Sequence, residues 1–268
     1  MPKALAPTRA TPATPWSALA QSWRAARPVE RGCYVVGAVL MLAGVFHLGV
    51  FFVRGGSWAG PVSWRKPTTF GLSFGLTLLT ITWVTSYLRL ADRLRTVLLL
   101  VFAGDCVLEV GGITLQAWRR VPSHFNMTST ANRSVSMMLA VGGAVLVVTL
   151  TVFAVAALRG DPGQAPSMRL ALRAGFVTLL IGLGSGVAMI ARGVTLVNTG
   201  HQQLAYQLGG FLKPVHAVSL HGVLVLPAVA WLLARSSWPE ERRVRGVALT
   251  ASVYAVAIAA ALVLSLLG

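Results

Sequence analysis

Residues 96–115 read TVLLLVFAGDCVLEVGGITL, a twenty-residue run whose only charged side chains are Asp105 and Glu109. A run of that length matches the hydrocarbon thickness of a bilayer, so it predicts a transmembrane helix. Six further windows of the same kind flank it: Cys33–Val53, Phe70–Leu88, Val135–Leu158, Leu170–Ala191, Pro214–Leu233 and Gly246–Leu267. The expected fold is an all-α integral membrane bundle of seven transmembrane helices. The runs are continuously apolar rather than alternating, which disfavours a barrel of strands, and a helix satisfies its own backbone in lipid.

Composition agrees. Of 268 residues, 55% are hydrophobic and 11% charged, where soluble chains carry about 25% charged residues. Cys33 and Cys106 both fall within apolar runs, so neither a disulfide scaffold nor a cysteine zinc site is expected, and no metal is assigned. Residues 1–32, rich in Pro, Ala and Thr with scattered Arg, are expected to be disordered or to lie on the membrane surface, with residues 33–268 forming the membrane domain. Cys33–Val53 is too long for a signal-peptide core and reads as a retained span.

Charge sets the expected orientation. Lys and Arg are densest in the N-terminal segment and in the second, fourth and sixth loops, which places the N-terminus in the cytoplasm and the C-terminus outside. Glu30, Asp92, Asp161, Glu240 and Glu241 share that inner side. The net charge of +16 is expected to meet lipid phosphates. Nucleic acid is not an expected partner, because no basic folded domain or base-stacking motif accompanies the charge. Gly-rich phosphate loops, nucleophile elbows and HExxH motifs are absent from the sequence.

Asp105 and Glu109 lie four residues apart, so they share one helical face about 6 Å apart, with Gly112 and Gln116 continuing the stripe. An ionised Asp at mid-bilayer costs about 2.5–3.5 kcal/mol, so this face is expected to look inward and at least one carboxyl to carry its proton near neutrality. The pair is the candidate catalytic site, as proton donor. Interhelical hydrogen bonding is the structural alternative.

Polar residues gather beyond Glu109. Gln116, His124, Phe125 and Asn126 follow it in the chain; His216 and His221 enter with the sixth span, and Trp64 and Lys66 precede the second. Together with Phe52, Phe70 and Phe74 these are the candidate substrate-binding residues. Trp64 also fits an interfacial aromatic belt. His216 and His221, five apart, point about 140° from each other and make a poor metal pair. His47 with one of them could still hold a haem between helices. Lys66-Pro67 and Lys213-Pro214 each open a helix, which suggests a repeat of spans one to three in spans five to seven. The glycines 182, 184 and 186 suggest close helix packing.

The stretches Trp64-Arg65-Lys66-Pro67, Gln116-Ala117-Trp118-Arg119, Ser123-His124-Phe125-Asn126 and His216 to His221 with Leu226-Pro227 resemble a largely uncharacterised family of bacterial multi-pass membrane proteins. That resemblance implies a bacterial cytoplasmic membrane. It also implies glycine where Arg120 stands and an acid where Asn132 stands. By architecture alone, the chain resembles small membrane-bound terpene cyclases. The implied function is an enzyme acting on a lipophilic prenylated substrate by proton-initiated cyclisation, with Asp105 or Glu109 as general acid and no cofactor. The alternatives are a haem- or quinone-binding redox protein, or a proton-coupled transporter or sensor.

Overall fold

A computed structural model describes residues 23–267. The described residues form helices and connecting loops, with seven helices long and apolar enough to cross a membrane. They are α1 Pro28–Arg54, α2 Arg65–Thr85, α3 Asp92–Trp118, α4 Thr130–Arg159, α5 Pro166–Asn198, α6 Lys213–Leu233 and α7 Glu240–Leu267, with a short helix Gln202–Leu208 between α5 and α6. All seven expected spans are present. α1 starts at Pro28, inside the stretch expected to be disordered or surface-lying, whereas residues 1–22 lie outside the described residues.

Local chemistry fixes the ends. Pro28 occupies the first turn of α1, where a missing N–H costs nothing, and Glu30 reaches back to accept from the Arg27 backbone N–H at 2.9 Å. Ser129 caps α4 by accepting from the Asn132 N–H. Gly55 and Gly160, both at positive φ, end α1 and α4. At the end of α3 the left-handed position falls to Arg120, at φ 56°. The Val121 N–H bonds the Gln116 carbonyl and the Arg120 N–H bonds that of Ala117, the paired closure that usually recruits glycine.

Alternating helices give the bundle two ends. The Glu30 end carries five of the seven acids. There Arg27 and Arg95 pair with Glu30 and Asp92, and Arg243 pairs with Glu240. The His124 end, holding the loops after α1, α3 and α5, has no acid among the described residues.

The expected repeat is visible in the packing. α1, α2 and α3 pack on one another, most extensively α1 on α2; α5, α6 and α7 do the same, most extensively α5 on α6. α4 bridges α3 and α5, and α2 meets α6 where the units face. Gly37 and Gly44 stand at the same distances from Pro28 as Gly175 and Gly182 do from Pro166. In both units these glycines let backbones touch. A Cβ on Gly75 would sit 2.6 Å from the Gly37 carbonyl, and one on Gly175 would sit 3.0 Å from that of Gly222. Asp92 with Arg95 opens α3 as Glu240 with Arg243 opens α7. Arg27 ties the start of α1 to Asp92, and the Ser167 N–H ties the start of α5 to Glu240 at 2.8 Å.

The interior is filled by Phe102, Phe153, Phe176, Leu78, Ile81 and Leu99, all fully buried. The outside carries exposed Val, Leu or Ile along α1, α3, α4, α5 and α7, a surface that suits lipid rather than water, while α2 and α6 are the more enclosed helices.

Candidate functional site

Asp105 and Glu109 are buried, 7% and 3% exposed, on the face of α3 that meets α4. Gly142 of α4 makes room for both. A Cβ there would lie 2.7 Å from Glu109 Oε1 and 2.8 Å from Asp105 Oδ1, so the two carboxyl groups converge on one side-chain-free spot. Among the described residues neither acid has a basic partner within ion-pair distance, and Asp105 Oδ2 is buried without a hydrogen-bond partner. A buried polar atom left without a partner is costly.

Beside them lies a cleft of about 630 Å³ between α3 and α4, bordered by Asp105, Val101, Leu108, Met137, Met138 and Val141. It opens sideways, toward the surface that would meet lipid, rather than into the centre of the bundle. Asp105 therefore borders a groove at the perimeter, whereas the sequence suggested that this face looks inward; Glu109, beside it, is not part of the groove's lining.

The other candidate residues stand elsewhere. Phe52 projects from the outside of α1, 75% exposed, next to Phe51. Trp64 stacks on His47, and both meet Trp118. The Trp118 indole donates to His47 Nε2 at 3.1 Å while His47 Nδ1 bonds the Ala43 carbonyl, so both ring nitrogens are engaged within the protein. Phe70 stacks on Phe74 and approaches His124. None of these aromatic rings borders the cleft.

Polar candidates beyond Glu109 hold the loop after α3 in place. Fully buried Gln116 donates to Asn132 Oδ1 and accepts from Arg119 at 2.7 Å. Asn126 accepts from the Thr128 backbone and hydroxyl, donates to the Pro122 carbonyl, and receives Ser136 on its backbone. Phe125, at φ 61°, wedges against Gly193 of α5, where any side chain would collide with its ring. Left-handed backbone at a bulky residue stores strain, held here by that notch.

Lys66 donates to the Ser123 hydroxyl at 3.5 Å, and that hydroxyl pairs with His124 Nδ1 at 3.0 Å. Burial, with the charge of Lys66 behind it, pushes His124 down to about 4, so the ring is neutral at physiological pH. His216 bonds the Gly182 carbonyl across the α5–α6 contact. His221 bonds the carbonyl of Ala217 one turn before it and borders a narrow gap between α2 and α6 beside Ser73, Thr77 and Thr80.

The structure thus forms two separate constellations, the acid cleft of α3 and α4 and a cationic, histidine-bearing cluster at the His124 end. Gly142, Met137 and Met138 escaped the sequence analysis, because only the register of α4 against α3 brings them to the acids. Comparison of the chain with family models, curated proteins and solved structures finds no match.

Proposed function

We propose that this chain is a membrane-embedded enzyme that protonates a lipophilic, prenylated substrate entering sideways from the bilayer, with cyclisation of an isoprenoid as the reaction. The observation that carries it is the convergence of two carboxyl groups without basic partners at Gly142, one of them, Asp105, bordering an apolar, laterally open cleft of about 630 Å³. General-acid chemistry needs a protonated carboxyl held against the substrate, and this pair is the one place in the spans where two carboxyl groups meet.

The chemistry is self-contained. The carboxylic O–H breaks and its proton forms a C–H bond at a terminal alkene, leaving a tertiary carbocation. A second alkene closes the ring on that cation, and loss of a proton back to the carboxylate regenerates the acid. Two carboxyls a turn apart can share the single negative charge left in between. The cleft walls are aliphatic and thioether, so Met137 and Met138 take the place of aromatic rings as polarizable neighbours of the cation. The excess of Lys and Arg in the N-terminal segment and at the Glu30 end supports a cytoplasmic N-terminus; the bacterial cytoplasmic membrane is the setting that the family resemblance implies.

The test uses purified full-length protein in lipid nanodiscs, incubated with farnesylated phenols and their epoxides and analysed by mass spectrometry. Cyclised product is expected from the wild type and not from Glu109→Gln or Asp105→Asn. Independently of substrate choice, a hydrophobic carbodiimide, which reacts with neutral carboxyls in apolar surroundings, is expected to modify Asp105 or Glu109. Turnover of both variants at the wild-type rate would remove the assignment, as would carbodiimide inertness of both residues.

The internal repeat favours a second reading, a proton-coupled carrier. Repeats related by an axis along the membrane normal commonly frame a mid-membrane binding site where they meet, and here α2 and α6 face each other across Ser73, Thr77, Thr80 and His221. Solute uptake into proteoliposomes driven by a pH gradient, without product formation, would favour the carrier over the enzyme.

A further inference from the structure

The chain has three lysines, Lys3, Lys66 and Lys213. The latter two are far apart in sequence, yet both stand in the first turn of a helix, each followed by proline, at corresponding places in the two three-helix units. Folding brings them together at the His124 end, where Lys213 and Arg65 lie within electrostatic reach of Lys66. Lys66 and Arg65 are half-buried and Lys213 is exposed at the rim.

Among the described residues no acidic side chain neutralises this group. Every ion pair among the described residues is at the Glu30 end, and none of the chain's seven acids is at the His124 end. The Lys66 ammonium has only the Ser123 hydroxyl, at 3.5 Å, and Ser123 is itself buried and turned toward neutral His124. Like charges so gathered repel; the Arg65 Nε donates to the Trp58 carbonyl at 3.1 Å, but no carboxylate among the described residues meets any of the three charges. An anion set among them would offset that repulsion. The first turns of α2 and α6 add the positive ends of two helix dipoles.

We propose that Lys66, Lys213 and Arg65, with Ser123 as a hydroxyl donor, bind a phosphate-bearing anion between the first turns of α2 and α6. The ligand is a phosphate or diphosphate group, either free in solution or as the head of a membrane lipid. Ammonium groups carried at the starts of two neighbouring helices suit a tetrahedral oxyanion, and Arg65, with its Nε held by the Trp58 carbonyl, adds its terminal nitrogens. The site shares no residue with the acid cleft, so it stands whether or not the cleft is catalytic.

The lysines themselves supply the assay. Full-length protein is acylated by an amine-reactive ester, and the rates at Lys66 and Lys213 are read by mass spectrometry against Lys3 as internal reference. Inorganic pyrophosphate, added to protein in neutral detergent, is one arm. Nanodiscs of phosphatidylglycerol compared with phosphatidylcholine are the other. Slowing of Lys66 and Lys213 by about tenfold relative to Lys3 is expected in at least one arm, the size of a charge-assisted contact. Protection by pyrophosphate assigns a soluble ligand, and protection by phosphatidylglycerol alone assigns a lipid head group. Arg65→Gln is expected to weaken the protection, and Arg120→Gln, a change at the same end outside the cluster, to leave it intact. Equal slowing by sodium chloride of matched ionic strength, equal loss in the Arg120 variant, or no protection in either arm overturns the site. The wild-type measurement decides the matter even where Arg65→Gln does not fold.

Discussion

Replacing Gly71 by alanine puts a methyl group 2.7 Å from the Gly44 backbone nitrogen, 2.8 Å from its Cα and 2.8 Å from the Leu40 carbonyl oxygen. All three are backbone atoms of α1, so no side chain can rotate aside. Ordinary carbon contacts lie at about 3.5–4.0 Å, so α1 and α2 must part by roughly 1 Å, which forfeits up to about half of each contact's attraction along the seam. Overpacking of this kind costs about 1–3 kcal/mol, while alanine returns about 1 kcal/mol through helix propensity. The net expectation is a loss of up to about 2 kcal/mol, read as a fall of roughly 4–8 °C in unfolding temperature for a domain of this size. Tryptophan fluorescence during heating in mild detergent measures it. Gly104→Ala and Gly111→Ala, whose added methyls meet nothing within 4 Å, are the controls and should match or exceed the wild type. A Gly71→Ala protein as stable as either control would refute the close approach of α1 and α2, and with it the backbone contact on which the repeat is argued.

The same comparison applies at the acids. Gly142→Ala should displace both carboxyl groups and depress carbodiimide labelling of Asp105 and Glu109, whereas neighbouring Gly143→Ala, with open space around it, should leave labelling unchanged. Arg120→Gly relieves a left-handed backbone that costs about 1–2 kcal/mol in a residue with a side chain, less about 0.5–1 kcal/mol of glycine entropy, and should raise the unfolding temperature by a few degrees. His124 holds its proton less tightly in the folded chain, at about 4, than the usual 6.5 of the unfolded one. The unfolded state therefore binds the extra proton between those values, so stability is complete above pH 6.5 and declines by about 3 kcal/mol as pH falls to 4. Unfolding temperatures followed from pH 7 to 4 should show that decline in the wild type and a shallower one in His124→Gln.

Seven spans and the shared face of Asp105 and Glu109 were legible because both depend on local periodicity. The helix ends were less so. α2 begins at Arg65 rather than Phe70, since Lys66, Thr68 and Thr69 lower the hydropathy of a turn whose backbone is already helical. α5 runs past Ala191 to Asn198 because Arg192 lies over the Phe211 ring and leaves the apolar window without leaving the helix. The carboxyl pair's surroundings were not legible at all. Which residues of α4 face α3 depends on the rotation of one helix against another, and no periodicity within α3 records it. The placement of the aromatic candidates was not legible for a related reason. Trp64 and Phe70 lie near Glu109 in a list of spans, yet packing turns them toward His47 and His124. The repeat was announced only by two Lys-Pro pairs, although the matched glycine spacings after Pro28 and Pro166 were there to be aligned.

The bridging position of α4 bears on ancestry. A segment that crosses a bilayer an odd number of times cannot be joined tail to head with a duplicate of itself and keep both copies facing the same way, unless one extra crossing intervenes. α4 is that crossing. Among the seven long helices it is the one without a counterpart, so Gly142, Met137 and Met138 have no matching positions in a twin. A groove on the odd helix, rather than along the line of symmetry, is what descent from a duplicated gene would permit.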